Sequence, residues 1–138
     1  MQVKKEMTAN IEFVNPETSV KEVAQKMRDL DIGVLPICQN DKLLGIVTDR
    51  DITIRLTSEA RDPNSTPVKD VMSSQVEWCF DDEDVNSCAK KMQAKQIRRL
   101  AVVNHDQKLV GILSIGDLAK RGSSKVACAI LEKVSAPA

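Results

Sequence analysis

Aromatic residues are scarce in these 138 residues: Phe13, Trp78 and Phe80 stand without a single tyrosine. A platform that stacks unpaired bases needs several exposed rings, so the composition argues against one for single-stranded nucleic acid. An excess of either charge is lacking too. Twenty Lys and Arg balance twenty Asp and Glu, for a formal net charge of zero, whereas a dedicated nucleic-acid binder carries basic residues to neutralise phosphates. No apolar run approaches the ~20 residues of a membrane span. The polar start MQVKKEMTAN does not read as a signal peptide, and a cytoplasmic protein is expected. Histidine occurs once, as His105, and the cysteines Cys38, Cys79, Cys88 and Cys128 include no C-x-x-C pair. No metal site is therefore expected, and the cysteines read as reduced side chains filling apolar gaps. A nucleophile–base pair would have to join Cys38 or Cys88 to His105 in the polar turn Asn104–Gln107. No enzyme is expected on that basis.

What the chain does have is an internal repeat. At a shift of 65 residues Lys4 matches Lys69, Met7 Met72, Glu12 Glu77, Val20 Val85, Ala24 Ala89, Met27 Met92 and Ile32 Ile97. At 66, Lys42-Leu43 matches Lys108-Leu109, Gly45-Ile46 matches Gly111-Ile112 and Asp51 matches Asp117. The slip falls in the loops Gln39–Asp41 and Asn104–Gln107, where an insertion costs least. The expected division is repeat 1 over 4–57, a linker over 58–67, repeat 2 over 68–121, and an extension over 122–138.

Each copy reads as βαββα, an α/β fold. Alternating apolar residues predict strands over Ile11–Val14 and Val76–Phe80. Ser19 with Glu22 reads as a capping box ahead of the stripe Val20, Val23, Ala24, Met27 and Leu30. Asp84 caps the counterpart, with Val85, Cys88, Ala89 and Met92 as its stripe. Strands follow over Val34–Cys38 and Leu43–Thr48, then over Leu100–Val103 and Lys108–Ser114, with short helices from near Asp49 and Ile115. Ser58–Pro67 has the composition of an exposed linker. Gly122-Ser123-Ser124 is expected to break the chain before an amphipathic helix over Val126–Val134. A ~55-residue unit buries too little surface to stand alone, so the copies are expected to share one core about a pseudo-twofold axis.

Both copies pass from their last strand to their last helix through one skeleton, G-h-h-[S/T]-x-x-D, with h apolar. It runs Gly45 to Asp51 and Gly111 to Asp117. A hydroxyl at the strand end and a carboxylate one turn into the helix point the same way, and a carboxylate suits the vicinal hydroxyls of a ribose. The same residues are also an N-capping arrangement, and the two roles are compatible.

With this motif, the repeat and the segment Arg98-Arg99-Leu100-Ala101-Val102-Val103, the sequence resembles the CBS-domain family, named after cystathionine β-synthase, over residues 4–121. The resemblance implies a regulatory sensor that forms a disc-shaped homodimer. It implies an adenosine-type ligand in the clefts between the copies: AMP, ADP, ATP, or a related molecule such as S-adenosylmethionine or NAD. Some relatives bind nothing, so the alternative is a ligand-free dimerisation or partner-docking scaffold; in either case an unknown client acts in trans. Carried over, Asp117 and Ser114 hold the ribose, with the base against Thr8, Asn10, Ile11 and Glu12 and phosphates at Arg98 and Arg99. Asp51 and Thr48 face Ser73, Gln75, Val76 and Glu77. Their copy has Gly33 and Val34 where the arginine pair stands, so Arg50 is the substitute. The Asp117 site is expected to be the phosphate-binding one, and the Asp51 site weaker or vacant. Pro36 in the first copy becomes Ala101 in the second, which is expected to loosen the start of that strand.

Overall fold

The computed structural model describes residues 1–121 and 124–136. Short elements follow the repeat. They are β1 (Thr8–Ala9), α1 (Val20–Leu30), β2 (Val34–Gln39), β3 (Lys42–Thr48) and α2 (Asp49–Ile52), then β4 (Trp78–Phe80), α3 (Val85–Lys95), β5 (Arg99–Val103), β6 (Leu109–Ser114), α4 (Ile115–Arg121) and α5 (Ser124–Ser135). A π-helical turn, Thr53–Thr57, extends α2, and 3₁₀ turns occupy Val3–Lys5 and Val68–Asp70.

The chain divides into two units that do not coincide with the sequence repeats. Unit I is Glu12–Val76, and unit II is Met1–Ile11 with Glu77–Ala138. Each unit thus takes the opening segment of the other repeat. In unit I, β2 and β3 form an antiparallel hairpin, and Ser73 bridges Ile46 on its edge. In unit II the sheet runs β1-β6-β5-β4, with Thr8 opposite Ile112 and Ala9 opposite Gly111. The motif glycines make this possible. A Cβ on Gly45 would lie 2.7 Å from the Ser73 carbonyl oxygen and 2.8 Å from Met72 Sδ. On Gly111 it would lie 2.7 Å from both the Thr8 oxygen and Met7 Sδ. Only glycine lets the incoming backbone sit this close.

The exchange also determines how the cores are made. Val14, Val20, Val23, Leu35, Ile37 and Val47 pack in unit I with Val68 and Val71 of the second repeat. Val3 of the first repeat packs in unit II with Met92, Leu100, Val102 and Leu113. Among the described residues each unit has its own core cluster, and neither copy builds one from its own residues alone.

Both first helices end in the same way, on a non-glycine residue in the left-handed region: Asp31 at φ 54° and Gln96 at φ 53°. The one-residue slip marks a change of turn. Asn40 and Asp41, both at positive φ, close the first hairpin in two residues. In the second, Asn104 Oδ1 accepts the amides of Asp106 and Lys108, and Gln107 takes the positive φ.

Several expectations are corrected. Ile11–Val14 is not a strand. Only Val14 pairs, in a parallel bridge with Ile37, whereas Trp78–Phe80 makes a ladder with Ala101–Val103. Proline is the cause: the Ala101 amide donates to the Glu77 carbonyl at 3.3 Å, and Pro36 has no hydrogen with which to make the equivalent bond. The change to alanine therefore adds a ladder bond instead of loosening the strand. Ala24 and Leu30 are exposed, so the α1 stripe narrows to Val20, Val23 and Met27, while Val85, Cys88, Ala89 and Met92 are all buried on α3. The linker is not free throughout. Ser58–Ser65 is exposed, but Thr66 is buried, and the Pro63 and Thr66 carbonyls accept the Lys21 and Val20 amides at the start of α1. The predicted terminal helix is present as Ser124–Ser135 and buries Ala127 and Ile130 in the unit II core. The break expected at Gly122-Ser123 lies outside the described residues.

Candidate functional site

The end of β6 and the start of α4 carry the site expected to dominate. Ser114 and Asp117 cap the helix reciprocally: the Asp117 amide donates to Ser114 Oγ at 3.1 Å, and the Ser114 amide to Asp117 Oδ2 at 3.0 Å. Capping thus uses one carboxylate oxygen and leaves the other for a different partner. Oδ1 accepts the hydroxyl of Thr8 at 2.8 Å. Asp117 is buried at 8% exposure, a desolvated position that a carboxylate occupies only when its oxygens are hydrogen-bonded. Arg99 lies opposite Ser114 in the β5–β6 ladder, and the Arg98 carbonyl accepts the Ile115 amide. Both arginines are exposed, and neither side chain forms an ion pair or hydrogen bond among the described residues. Thr8, Arg98, Arg99, Ser114 and Asp117 are therefore brought together within unit II, from opposite ends of the sequence.

The first copy is built alike and finished differently. Thr48 and Asp51 form the same reciprocal box, at 3.1 and 3.0 Å. Asp51 Oδ1, however, faces Arg55 Nη2 at 3.9 Å. Nη1 of Arg55 donates to the Val71 and Met72 carbonyls at 3.0 and 2.9 Å and to Ser73 Oγ at 3.3 Å. One guanidinium thus ties the motif carboxylate to the incoming segment. Arg55, Met72, Ser73, Ser74 and Gln75 line a shallow cleft of about 380 Å³ beside it. Arg50, the expected substitute for the arginine pair, is exposed and makes no side-chain contact of this kind among the described residues.

Arg55 is the residue that sequence reasoning missed. Its signal was available: it stands four residues after Asp51, and Arg121 occupies the matching place after Asp117. Among the remaining expected residues, Ile11 and Val76 are half-buried, three residues past Thr8 and Ser73, and Asn10 turns the chain at φ 54°. Glu12 pairs with Lys26 at 3.8 Å and Glu77 with Lys95 at 3.7 Å, so surface lysines hold both carboxylates.

The family model for the CBS domain matches residues 2–58 and again 68–124. The chain belongs to the CBS domain family. Among its CBS relatives, the CBS domain-containing protein YhcV of Bacillus subtilis is 37% identical over 117 residues, which span 85% of this chain and 82% of that protein. The crystal structure of Hypoxic Response Protein I, described with two coordinated zinc ions, superposes at TM-score 0.79 and 30% identity, covering 88% of this chain and 98% of the other. The crystal structure of CBSX2 in complex with AMP superposes at 0.73 and 27% identity, covering 95% and 96%. Among the described residues, no helix is long and apolar enough to cross a membrane.

Proposed function

We propose that this CBS pair is a regulatory sensor, not an enzyme, and that it binds an adenosine-type nucleotide at the Asp117 site. The observation that carries this is the meeting of Thr8, Ser114 and buried Asp117 beside two exposed arginines without partners among the described residues. A ribose hydroxyl would donate to Asp117 Oδ1 in place of the Thr8 hydroxyl. Phosphates would reach Arg98 and Arg99, whose planar guanidinium groups suit them. The AMP bound to the similar CBSX2 supports this choice of ligand class. At Asp51 the guanidinium of Arg55 already faces the carboxylate, which supports weaker binding there. We place the module in the cytoplasm as a homodimer that acts on a client in trans.

A ligand-free docking scaffold is the second reading, favoured by the fact that both Asp117 oxygens already have partners. A thermal-shift panel of AMP, ADP, ATP, S-adenosylmethionine and NAD separates the two, because a ligand held only by the folded state raises the melting temperature. The sensor reading expects a rise of several degrees with at least one nucleotide, lost in Asp117→Ala and reduced in Arg98→Ala/Arg99→Ala. If no compound moves the midpoint, or if the shift survives Asp117→Ala, the site is wrong.

A further inference from the structure

Cys79 on β4, Cys88 on α3 and Glu83 between them converge in unit II. The two sulfurs and a Glu83 carboxylate oxygen all lie within 4.8 Å of one another. Both cysteines are buried, Cys79 completely, and Glu83 is half-buried. Glu83 Oε2 accepts the Phe80 amide at 2.6 Å, which fixes the carboxylate against the strand that carries Cys79.

The first copy shows that the fold does not require sulfur here. At the shift of 65, Cys79 matches Val14, Glu83 matches Thr18 and Cys88 matches Val23. Val14 and Val23 fill the equivalent core positions at 4% and 0% exposure. Two valines and a threonine in one copy are thus two thiols and a carboxylate in the other. These are three ligands of two types at one point of a duplicated core. Sequence spacing hides the set, because Cys79 and Cys88 belong to different elements and meet only when α3 packs on β4.

We propose that Cys79, Cys88 and Glu83 bind a thiophilic cation of the zinc(II) class. Tetrahedral zinc, with bonds of about 2.3 Å to sulfur and 2.0 Å to oxygen, sets its ligands roughly 3.5–3.8 Å apart. Small side-chain adjustments close the present set to that spacing. The half-buried Glu83 side leaves a fourth position for water. Two thiolates and a carboxylate around a divalent ion leave one net negative charge. Lys91, one turn after Cys88, supplies the compensating positive charge: its Nζ donates to the Trp78 carbonyl at 2.7 Å, next to Cys79. Thiol ligands lose their protons to a metal, so binding releases protons and tightens as pH rises.

The test uses the full chain, reduced, in a Cys38→Ser/Cys128→Ser background that leaves only these two thiols. Zinc is titrated in competition with a chromophoric chelator, and cobalt(II) is used in parallel for its thiolate charge-transfer band. We expect one ion per chain, a cobalt–thiolate band, and a higher melting temperature with zinc. Cys79→Val/Cys88→Val, which restores the valines of the first copy and so keeps the core packed, abolishes all three effects. Glu83→Gln weakens affinity about tenfold or more. If zinc fails to bind stoichiometrically, or binds the valine variant equally well, the proposal is overturned.

Discussion

The two copies of the G-h-h-[S/T]-x-x-D motif share a cap, and beside it Thr8 meets Asp117 in the second copy where Arg55 faces Asp51 in the first. In both, one oxygen of the aspartate closes the helix N-terminus. In the second copy the other oxygen receives a hydroxyl from Thr8, a small group that a ligand can displace. In the first it faces Arg55, whose guanidinium is also bonded to two backbone carbonyls and a serine. Displacing it would break a charged network. Duplication thus preserved the scaffold while different groups came to meet the motif carboxylate.

The largest expected effect tests what the copies share. Gly45→Ala and Gly111→Ala each place a methyl carbon 2.7 Å from a backbone oxygen of the incoming segment. Each should cost about 1–3 kcal/mol in urea unfolding, by overpacking that only a backbone shift relieves. If one substitution proves neutral, the two segment contacts are not equivalent and the comparison fails at its base. Next comes Arg55→Met, which removes the guanidinium but keeps much of the apolar stem. A cation bonded to carbonyls contributes about 1.5–3 kcal/mol when buried. With the side chain at 45% exposure, we expect about 1 kcal/mol in the same assay. Arg55→Met should leave the nucleotide response at Asp117 intact, since it acts in unit I.

The smallest effect belongs to a pair found in the second copy's longer turn. His105 Nε2 lies 2.7 Å from Asp82 Oδ2, and its ring stacks on Phe80 at 4.3 Å. The hydrogen bond to Asp82 raises the His105 pKa, and the same bond lowers that of Asp82. The stabilisation due to His105 is complete below its unfolded pKa and fades as pH rises through the raised folded value. That due to Asp82 is present above its unfolded pKa and fades as pH falls through its lowered folded value. Both groups are solvent-exposed, so the effect is slight. Melting temperatures of His105→Gln and the parent should differ most at mildly acidic pH and converge at alkaline pH. A constant difference across that range would show that stacking, not charge, is what His105 contributes.

The repeat, the helices and the reciprocal caps were legible in the sequence because each depends on residues within a few positions of one another. Ser114 with Asp117 and Thr48 with Asp51 are of this kind. The missing strand at Ile11–Val14 was misread because its alternation of Ile11 and Phe13 is sound. What prevents the ladder is Pro36, on the strand it would have joined. Arg55 escaped notice for the opposite reason: a single arginine on an exposed helix face is ordinary until the Val71–Ser73 backbone arrives beside it. The cluster of Cys79, Glu83 and Cys88 became visible only when α3 and β4 were placed together. Local chemistry can be read along the chain, whereas contacts between elements depend on a fold that no short window contains.

The traded opening segments also bear on how the molecule is made. Thr8 leaves the ribosome 109 residues ahead of its partner Asp117. Unit I, contained within Glu12–Val76, can assemble during synthesis, whereas the sheet of unit II must wait until β6 has been made. Such distant pairing makes closure of β1 on β6 a slow step. Until that step the backbone edge of β6 stays unpaired, and the nascent chain is then most open to misassociation.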